Sequence, residues 1–474
     1  MNARRGLILF VALAVGAAAV WWWRANARDE ILHASLPREP AFAGLSAEFA
    51  QRLSTSDQLI RRGSGGTAAL AELGQLYHAN GFLPEAVQCY RGLAQLDPAN
   101  ARWPHRLACI YAGYGQLDDG LPLWQRVIRV APDYLPARIR MGDVLLKLNR
   151  PAEAADAYAA VLAREATNAF ALTGLARIDL AAGQVAPARE KLERAASASG
   201  GRIGGDLLAT ACEQLGDHAR AETLRARAKA SGAFHDPPDP WMDEIFDDCF
   251  DVYRVTVAAG FADHAGDSAR AQRLIERALK LDPKHAPALF QSGTFALQRH
   301  DLEKARQDFE ACVAVAPDNS DAWARLSKVS LERGDQAAAA RVLAAGLARN
   351  PDSGALLGEQ ARRLTAAGRH AEAAAALERA VRVRPDDADT LVRLASAYFR
   401  LERLDEGAAA LRRALAAEPE HPAALTTLTM HAIGSGDEAA AREWFRHVRA
   451  QPRVPADLAA DLAGEFRRRF GREP

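Results

Sequence analysis

The sequence predicts an all-α solenoid, a row of helix hairpins in which each hairpin packs on its neighbours. Two observations predict this fold. Apolar residues recur at helical spacing along Ala388–His421, and the same pattern returns every 34 residues in both directions. One hairpin cannot bury both of its apolar stripes, so the pattern has to repeat. Length alone would suggest about three globular domains, but a repeat array forms one elongated body and is not counted in that way.

The stretch Ala388–His421 is the clearest copy of the pattern. Small residues at its positions 8 and 20 would let the two helix backbones approach closely, and the proline at position 32 ends the second helix. Its first predicted helix carries the stripe Leu391, Leu394, Ala395 and Tyr398, and its second carries Gly407, Leu411 and Ala414 before Pro419.

The same register extends over six copies from Val252 to Pro455 without an insertion. Steps of 34 residues place prolines at Pro385, Pro351, Pro317 and Pro283, and small residues at Ala373, Ala339, Ala305 and Ala271. In these features the chain resembles the tetratricopeptide repeat family. The resemblance implies a right-handed superhelix of hairpins whose concave face binds ligands.

The chain begins with a candidate membrane segment. Gly6–Trp23 carries no charge and, as a helix, would be about 27 Å long, enough to cross a bilayer core. It is either an uncleaved anchor or a signal peptide cut after the small residues 25–27. The length of the apolar run and the tryptophans at its end favour the anchor. We expect residues 1–28 to form a single-pass transmembrane helix in the inner (plasma) membrane, with the bulk of the chain in the periplasm.

The rest of the chain divides into five parts. Residues 29–66 are predicted as a linker and a capping helix around Leu45–Ile60, and residues 67–234 as a first array of about five repeats. Residues 235–251 form an acidic joint rich in proline and aromatic residues, residues 252–455 a second array of six repeats, and residues 456–474 a C-terminal capping helix. Leu458, Leu462 and Phe466 would form the apolar face of that last helix.

The joint reads HDPPDPWMDEIFDDCFD and has three interpretations. It could be a structural joint in which Trp241, Ile245, Phe246 and Phe250 fill the gap between the arrays. It could be a recognition segment or a segment laid across the groove. It could also hold a divalent cation through Asp243, Asp247 and Asp251, if these lie on one helix face.

Composition argues against several classes of function. Lys plus Arg and Asp plus Glu both number 60, so no overall basic field favours nucleic acid. We interpret the excess of arginine and alanine as the coding bias of a GC-rich bacterium.

None of the five cysteines forms a CxxC pair, and Cys212 and Cys312 fall at core positions, so packing is favoured over disulfide or metal roles.

No catalytic pattern occurs in the sequence. HExxH and GxSxG are absent, and the glycines of residues 200–205 form neither a Walker loop nor a GxGxxG motif after a strand. The longest segment outside the repeats and the leader, residues 29–66, is too short for an independent catalytic domain. We therefore predict no enzyme, no catalytic residues, no cofactor and no metal.

The resemblance also indicates where partners would bind. In the family, ligand contacts come from positions 2, 5, 9, 12 and 13 of the first helix, and a mixture of aromatic and charged residues there suits an extended peptide or protein segment. In this sequence such positions hold His105, Asp143, Lys147, Phe170, Arg177, Tyr253, Asp263, His264, Phe290, Gln298, Lys328, Arg362, Phe399 and Arg400. Each of them could equally be a plain solvent-exposed residue.

The sequence therefore predicts a non-enzymatic protein–protein interaction scaffold at the bacterial cell envelope. Its expected partners are proteins or peptides, together with the membrane through the N-terminal helix, and not nucleic acid or a small molecule. The alternative is a polysaccharide-binding protein or an accessory of a glycosyltransferase or peptidase. The resemblance to membrane-anchored members of the family implies envelope assembly, secretion, polysaccharide export or cytochrome maturation, and the choice among these pathways stays open.

Overall fold

A computed structural model describes residues 22–23, 26–38, 46–63, 65–199, 203–231, 237–451 and 454–474. Within these ranges the regular structure is helical, with no strand, as the sequence predicts. The chain divides into two compact units, residues 1–277 and residues 278–474. The division falls inside a helix, later than the boundary at residue 252 that separates the two predicted arrays.

Unit 1 contains the capping helix, the first array and the joint. Its helices are α1 (residues 26–34), α2 Ala47–Arg61, α3 Gly66–Ala79, α4 Leu83–Leu96, α5 Arg102–Gly113, α6 Leu117–Val130, α7 Leu135–Lys147, α8 Pro151–Leu162, α9 Ala169–Ala181, α10 Val185–Ser199, α11 Gly205–Gln214, α12 His218–Ser231, α13 Pro240–Asp243 and α14 Val252–His264. A short 3-10 helix, Glu244–Asp248, follows α13.

Unit 2 contains most of the second array. Its hairpins are built in the same way, and helix α15 Ser268–Leu281 carries the division between the units. The remaining helices are α16 Ala286–Gln298, α17 Leu302–Val315, α18 Ser320–Glu332, α19 Gln336–Arg349, α20 Gly354–Ala366, α21 His370–Val383, α22 Ala388–Arg400, α23 Leu404–Ala417, α24 Pro422–Ser435, α25 Glu438–Ala450 and α26 Ala456–Phe470.

The predicted stripes form the core. In α22 and α23 every member of the two stripes is buried. Small residues at position 8 admit the large side chain that lies at position 24. Gly142 shows this, because a Cβ atom there would lie 2.6 Å from the ring of Tyr158, which is fully buried. The sequence pattern therefore has a direct steric cause.

The turns between paired helices share one backbone feature. Position 15 of the repeat has positive φ, which glycine adopts most easily and which occupies the end of the first helix. Gly115 and Gly334 are examples, with φ of 76° and 81°. Three copies place Asn149, His300 and Glu402 there instead, at 56°, 60° and 61°.

Polar residues begin many of the helices. Asn319, Ser353 and Asp387 stand at the same position of successive copies, and each side chain accepts a hydrogen bond from a backbone N–H of the following first helix. Such N-caps contribute about 1 kcal/mol each. They fix the start of the first helix of each copy.

A helix lies at each of the two positions predicted for a capping helix. Helix α2 buries Phe49, Leu53 and Ile60 against the first repeat. Helix α26 buries Leu462 and Phe466, whereas Leu458, predicted on the same face, is 39% exposed.

The predicted membrane segment, residues 6–23, lies outside the described residues except for Trp22 and Trp23. Among the helices that the structure describes, none is both long and apolar enough to span a bilayer. All five cysteines are described and none is paired; Cys212 and Cys312 are fully buried, as predicted.

Candidate functional site

Residues 237–251 lie against the first helices of the hairpins in unit 1. Asp239 is almost fully buried there, with 2% of its side chain exposed. Its carboxylate accepts hydrogen bonds from His105 Nε2 at 2.9 Å, the Tyr134 hydroxyl at 2.5 Å and Arg140 Nε at 2.7 Å. One side chain of the joint therefore connects α5 with the start and body of α7.

The charge of Asp239 is stabilised by these neighbours. Burial by itself raises the pKa of the carboxyl group, but the hydrogen bonds from His105 and Tyr134 and the charge of Arg140 outweigh burial and hold the pKa well below its usual range. Asp239 is therefore an ionised, paired group at neutral pH.

Trp241 is the aromatic anchor of the segment. Its ring stacks on Tyr134 and meets the ring of His105 edge-on, with centroids 5.6 Å apart. Its carbonyl oxygen accepts a hydrogen bond from Arg106 Nε at 3.1 Å. The Arg106 side chain is 1% exposed and also bonds to Glu244 Oε2 at 3.3 Å. Ring and backbone of the segment are thus both fixed to α5.

The far end of the segment reaches α2 and α3. Asp248 pairs with Arg52 Nη1 at 2.8 Å and accepts a hydrogen bond from Gln75 Nε2 at 2.5 Å. Asn80 donates to the carbonyl of Asp248 and accepts from the N–H of Phe250. The segment therefore crosses α7, α5, α3 and α2 in the reverse of their chain order. This agrees with the interpretation of a segment laid across the repeats.

The cluster His105, Cys109 and Asp239 is the one group within the described residues whose atoms lie close enough together to hold a metal ion, and the same residue types occur in nucleophilic catalysis. Trp124 Nε1, which can only donate, faces His105 Nδ1 at 3.3 Å, so the ring carries its hydrogen on Nε2. That hydrogen points at Asp239 and leaves no lone pair for a metal.

The same geometry does not suit a catalytic relay. Cys109 Sγ lies 3.7 Å from His105 Nε2, the nitrogen that also bonds to Asp239. In a relay the nucleophile and the carboxylate contact opposite ring nitrogens. We therefore interpret the cluster as a structural contact between the segment and α5.

The divalent-cation interpretation of the joint is wrong, because it required three aspartates on one helix face. The helix α13 ends at Asp243, a 3-10 helix follows, and Cys249 is extended, so Asp243, Asp247 and Asp251 do not share a helix face. Asp243 pairs with Arg270 at 2.7 Å, and Asp251 caps α14. Burial raises the pKa of Asp243 to about 6.

Unit 2 carries an open groove on the equivalent face. Its volume is about 790 Å³, and it is lined by residues of α16, α18, α20 and α22 together with the turn before α22. Small residues, among them Ala324 and Gly358, form part of its wall, and arginines such as Arg325 and Arg393 border it. A smaller groove of about 360 Å³ lies beside it, between α20, α21 and α22.

The predicted contact residues of unit 1 have different environments. His105 is buried beneath the chain's own segment and cannot meet a partner while that segment is in place. Asp143 accepts hydrogen bonds from Tyr158 and Arg177, and Arg177 is exposed. Lys147 and Tyr253 are exposed, Phe170 and Asp263 are half-buried, and the His264 side chain lies outside the described residues.

The predicted contact residues of unit 2 mostly border the grooves. Phe290, Lys328 and Arg362 line the larger groove, and Arg362 and Arg400 line the smaller one. Gln298 is exposed outside both linings, and Phe399 stacks on His431 with centroids 5.1 Å apart. Three of the predicted residues therefore share the larger groove, and two share the smaller one.

The residues that hold the segment in unit 1 were missed at the sequence level. Arg106 and Arg140 occupy position 6 of their copies, which the resemblance does not assign to ligand contact. The available signal was the recurrence of arginine at this position, in Arg106, Arg140, Arg325 and Arg393, beside a joint rich in carboxylates.

Comparison with known proteins agrees with this architecture. Two family models, both described as tetratricopeptide repeat, match the chain: one at residues 105–169, 139–203, 263–312, 359–422 and 392–455, the other at residues 296–361. These matches cover more than half of the chain, which therefore belongs to the tetratricopeptide repeat family.

Individual relatives are more distant. The chain is 27% identical to cellulose synthase operon protein C of Komagataeibacter sucrofermentans over 45% of this chain and 18% of that protein. It is 35% identical to the rat (Rattus norvegicus) DnaJ homolog subfamily C member 3 over 19% of this chain and 18% of that protein. It thus spans about a fifth of the length of these relatives. The structure of yeast Tom70 aligns with 85% of this chain and 95% of its own, at 14% identity and a TM-score of 0.39.

Proposed function

We propose that this protein is a non-enzymatic scaffold of the bacterial cell envelope that binds an extended segment of a partner protein in the groove of unit 2. Residues 6–23 would tether it to the inner membrane, with the repeats in the periplasm. The family to which the chain belongs supports a binding role, and the absence of a relay at His105 supports a role without catalysis.

The observation that carries the proposal is the contrast between the two first-helix faces. In unit 1 the chain's own segment covers this face from α2 to α7 and buries His105 completely. In unit 2 the corresponding helices border an open groove of about 790 Å³. A groove of this size, formed between helices and bordered by charged side chains, is a typical binding site.

Site-directed photocrosslinking tests the groove. A photoreactive residue replaces Lys328, which lines the groove, and in a control it replaces Arg341, an exposed residue of α19 outside the lining. We expect a discrete crosslinked partner from position 328 and none from position 341.

A variant in which the groove is filled provides a second control for the crosslink. Gly358→Phe fills the groove, and the position tolerates a side chain because a Cβ there meets only Arg393 Nη1, at 3.7 Å. The crosslink at position 328 should disappear in this variant at unchanged melting temperature. Equal crosslinking at both positions, or a crosslink that survives the block, would contradict the proposal.

The tether has its own test. A reporter that is active only in the periplasm, fused after Pro474, should be active in cells if the repeats are exported. If the reporter is inactive although the membranes contain the full-length fusion, the proposed orientation is wrong.

A second candidate is a part in polysaccharide synthesis or export, which the similarity to cellulose synthase operon protein C favours. Direct sugar binding would use exposed aromatic rings for stacking. The larger groove has one aromatic residue, Phe290, and the guanidinium of Arg325 lies over its ring. Binding of the full-length protein on a glycan array, lost in Gly358→Phe, would favour this candidate over protein binding.

A further inference from the structure

We propose that the occupant of the unit 2 groove is an acidic segment of a partner protein, with two carboxylates that pair with Arg325 and Arg393. This inference rests on the proposed function and names the chemistry of the partner. It comes from the way in which the same protein holds its own acidic segment in unit 1.

The first step is the register of the repeats. Arg106 and Arg140 stand at position 6 of neighbouring copies in unit 1, and both bind the segment 237–251, at Glu244 and Asp239 respectively. Arg325 and Arg393 stand at position 6 of two copies in unit 2, and both line the groove. The same side chain is therefore presented from the same point of the repeat on both faces.

The second step is the state of the two arginines in unit 2. Neither Arg325 nor Arg393 forms an ion pair or hydrogen bond with a described residue, and both are exposed. Their cationic neighbours are already paired: Arg362 with Glu359 at 2.5 Å, and Arg384 with Asp387 at 3.1 Å. The lining also carries the carboxylates of Asp321 and Asp389, so the attraction for a partner's carboxylate is local to Arg325 and Arg393 at position 6.

The third step is a pair of acceptors without partners. Position 6 of the other two copies in this row holds Gln291 and Glu359, and in each an Oε1 atom is buried with no hydrogen-bond partner in the described structure. A buried acceptor in this state is costly unless a donor reaches it. From α16 to α22, position 6 therefore holds the acceptor Gln291, the cation Arg325, the acceptor Glu359 and the cation Arg393. This order matches a peptide that offers both backbone N–H groups and carboxylates.

The spacing of the arginines defines the partner further. Packed helices lie about 8–10 Å apart, so two steps from α18 to α22 cover roughly 16–20 Å. An extended chain covers that distance in about five or six residues. An extended partner segment should therefore carry carboxylates about five or six residues apart.

A labelled synthetic peptide with the sequence of residues 237–248 is the probe, and its control has every Asp and Glu replaced by Asn and Gln. Fluorescence polarisation measures binding to the full chain in detergent micelles. We expect the acidic peptide to bind more weakly at high salt, because exposed charge pairs are screened. The double variant Arg325→Gln/Arg393→Gln should bind about tenfold more weakly or worse, a loss that corresponds to about 1.4 kcal/mol. The variant Arg341→Gln should bind normally.

The outcomes separate this inference from the proposed function. Equal binding of the acidic and amide peptides, or binding that the double variant leaves unchanged, overturns the acidic partner, and the groove can still give crosslinks at position 328. If neither peptide binds and no crosslink forms, the proposed function fails as well. If the chain self-associates in sedimentation and the double variant abolishes this, the groove belongs to a second copy and the partner assignment is overturned.

Discussion

The indole ring of Trp241 lies parallel to the phenol ring of Tyr134, with centroids 3.5 Å apart and planes 6° apart. Tyr134 precedes α7, whereas Trp241 belongs to the joint between the predicted arrays. This stack, next to the buried carboxylate of Asp239, fixes the joint on the first-helix face of unit 1. The joint is therefore part of the fold of that unit rather than a linker.

Replacement of the indole should destabilise unit 1. Trp241→Ala removes the stack and the edge contact with His105, and we expect a loss of about 2 kcal/mol, since aromatic pairs contribute about 0.5–1.5 kcal/mol beyond the area they bury. Urea unfolding followed by circular dichroism measures this. The control is Tyr114→Ala, at a ring that is 57% exposed, where little change is expected. Equal effects of the two substitutions would mean that the stack contributes nothing.

The carboxylate of Asp239 should contribute more to the unfolding free energy than the ring of Trp241. Asp239→Asn removes the charge that Arg140 pairs with and weakens the acceptor for His105, so we expect a loss of about 3 kcal/mol, as for other broken buried pairs. Asp133→Asn is the matched control, because the pair of Asp133 with Arg164 is exposed on both sides and such pairs contribute little. A loss at Asp239 no greater than at Asp133 would show that the buried contacts are not stabilising.

The same substitution predicts a pH dependence. The pKa of Asp239 is held below its usual range in the folded chain, so its contribution to stability is complete above the unfolded pKa of about 3.9 and is lost as pH falls through the lower folded pKa. The difference in unfolding free energy between wild type and Asp239→Asn should thus be present at pH 7 and shrink below pH 4. A difference that grows on acidification has the wrong sign and would reject this assignment.

The fold was predictable because its causes are local. Helical stripes, the small residue at position 8 and the proline at position 32 each act within one repeat, and the buried environment of Leu391 and Leu411 follows from them. The docking of the joint was not predictable in this way. His105 and Asp239 are 134 residues apart, and no periodic signal links them. The sequence showed a polar residue, His105, at a ligand-binding position, and it showed an acidic segment. It did not show that the segment covers His105.

The turn conformation offers a way to raise stability. Glu402 has φ of 61° at a position that most copies fill with glycine, and this conformation costs a non-glycine residue about 1 kcal/mol or more. Glu402→Gly should therefore stabilise unit 2 by roughly 0.5–1 kcal/mol, after the greater flexibility of the unfolded glycine is deducted. Gly334→Ala, at φ of 81°, is the reciprocal variant and should destabilise. Melting temperatures that move in the same direction for both would contradict this account.

Position 6 of the repeat holds a buried arginine in unit 1 and an exposed arginine in unit 2. Arg106 is 1% exposed and bonds to Gln75, Glu244 and the carbonyl of Trp241, whereas Arg325 is exposed in the groove. Arg106→Gln should therefore lower the unfolding free energy by about 2–3 kcal/mol, because it removes a buried charged donor from several acceptors. Arg325→Gln should leave stability unchanged within about 0.5 kcal/mol and act only on partner binding. Urea unfolding of the two variants, measured beside wild type, distinguishes the cases: a structural role for Arg325 predicts equal losses, and a binding role predicts a loss at Arg106 alone.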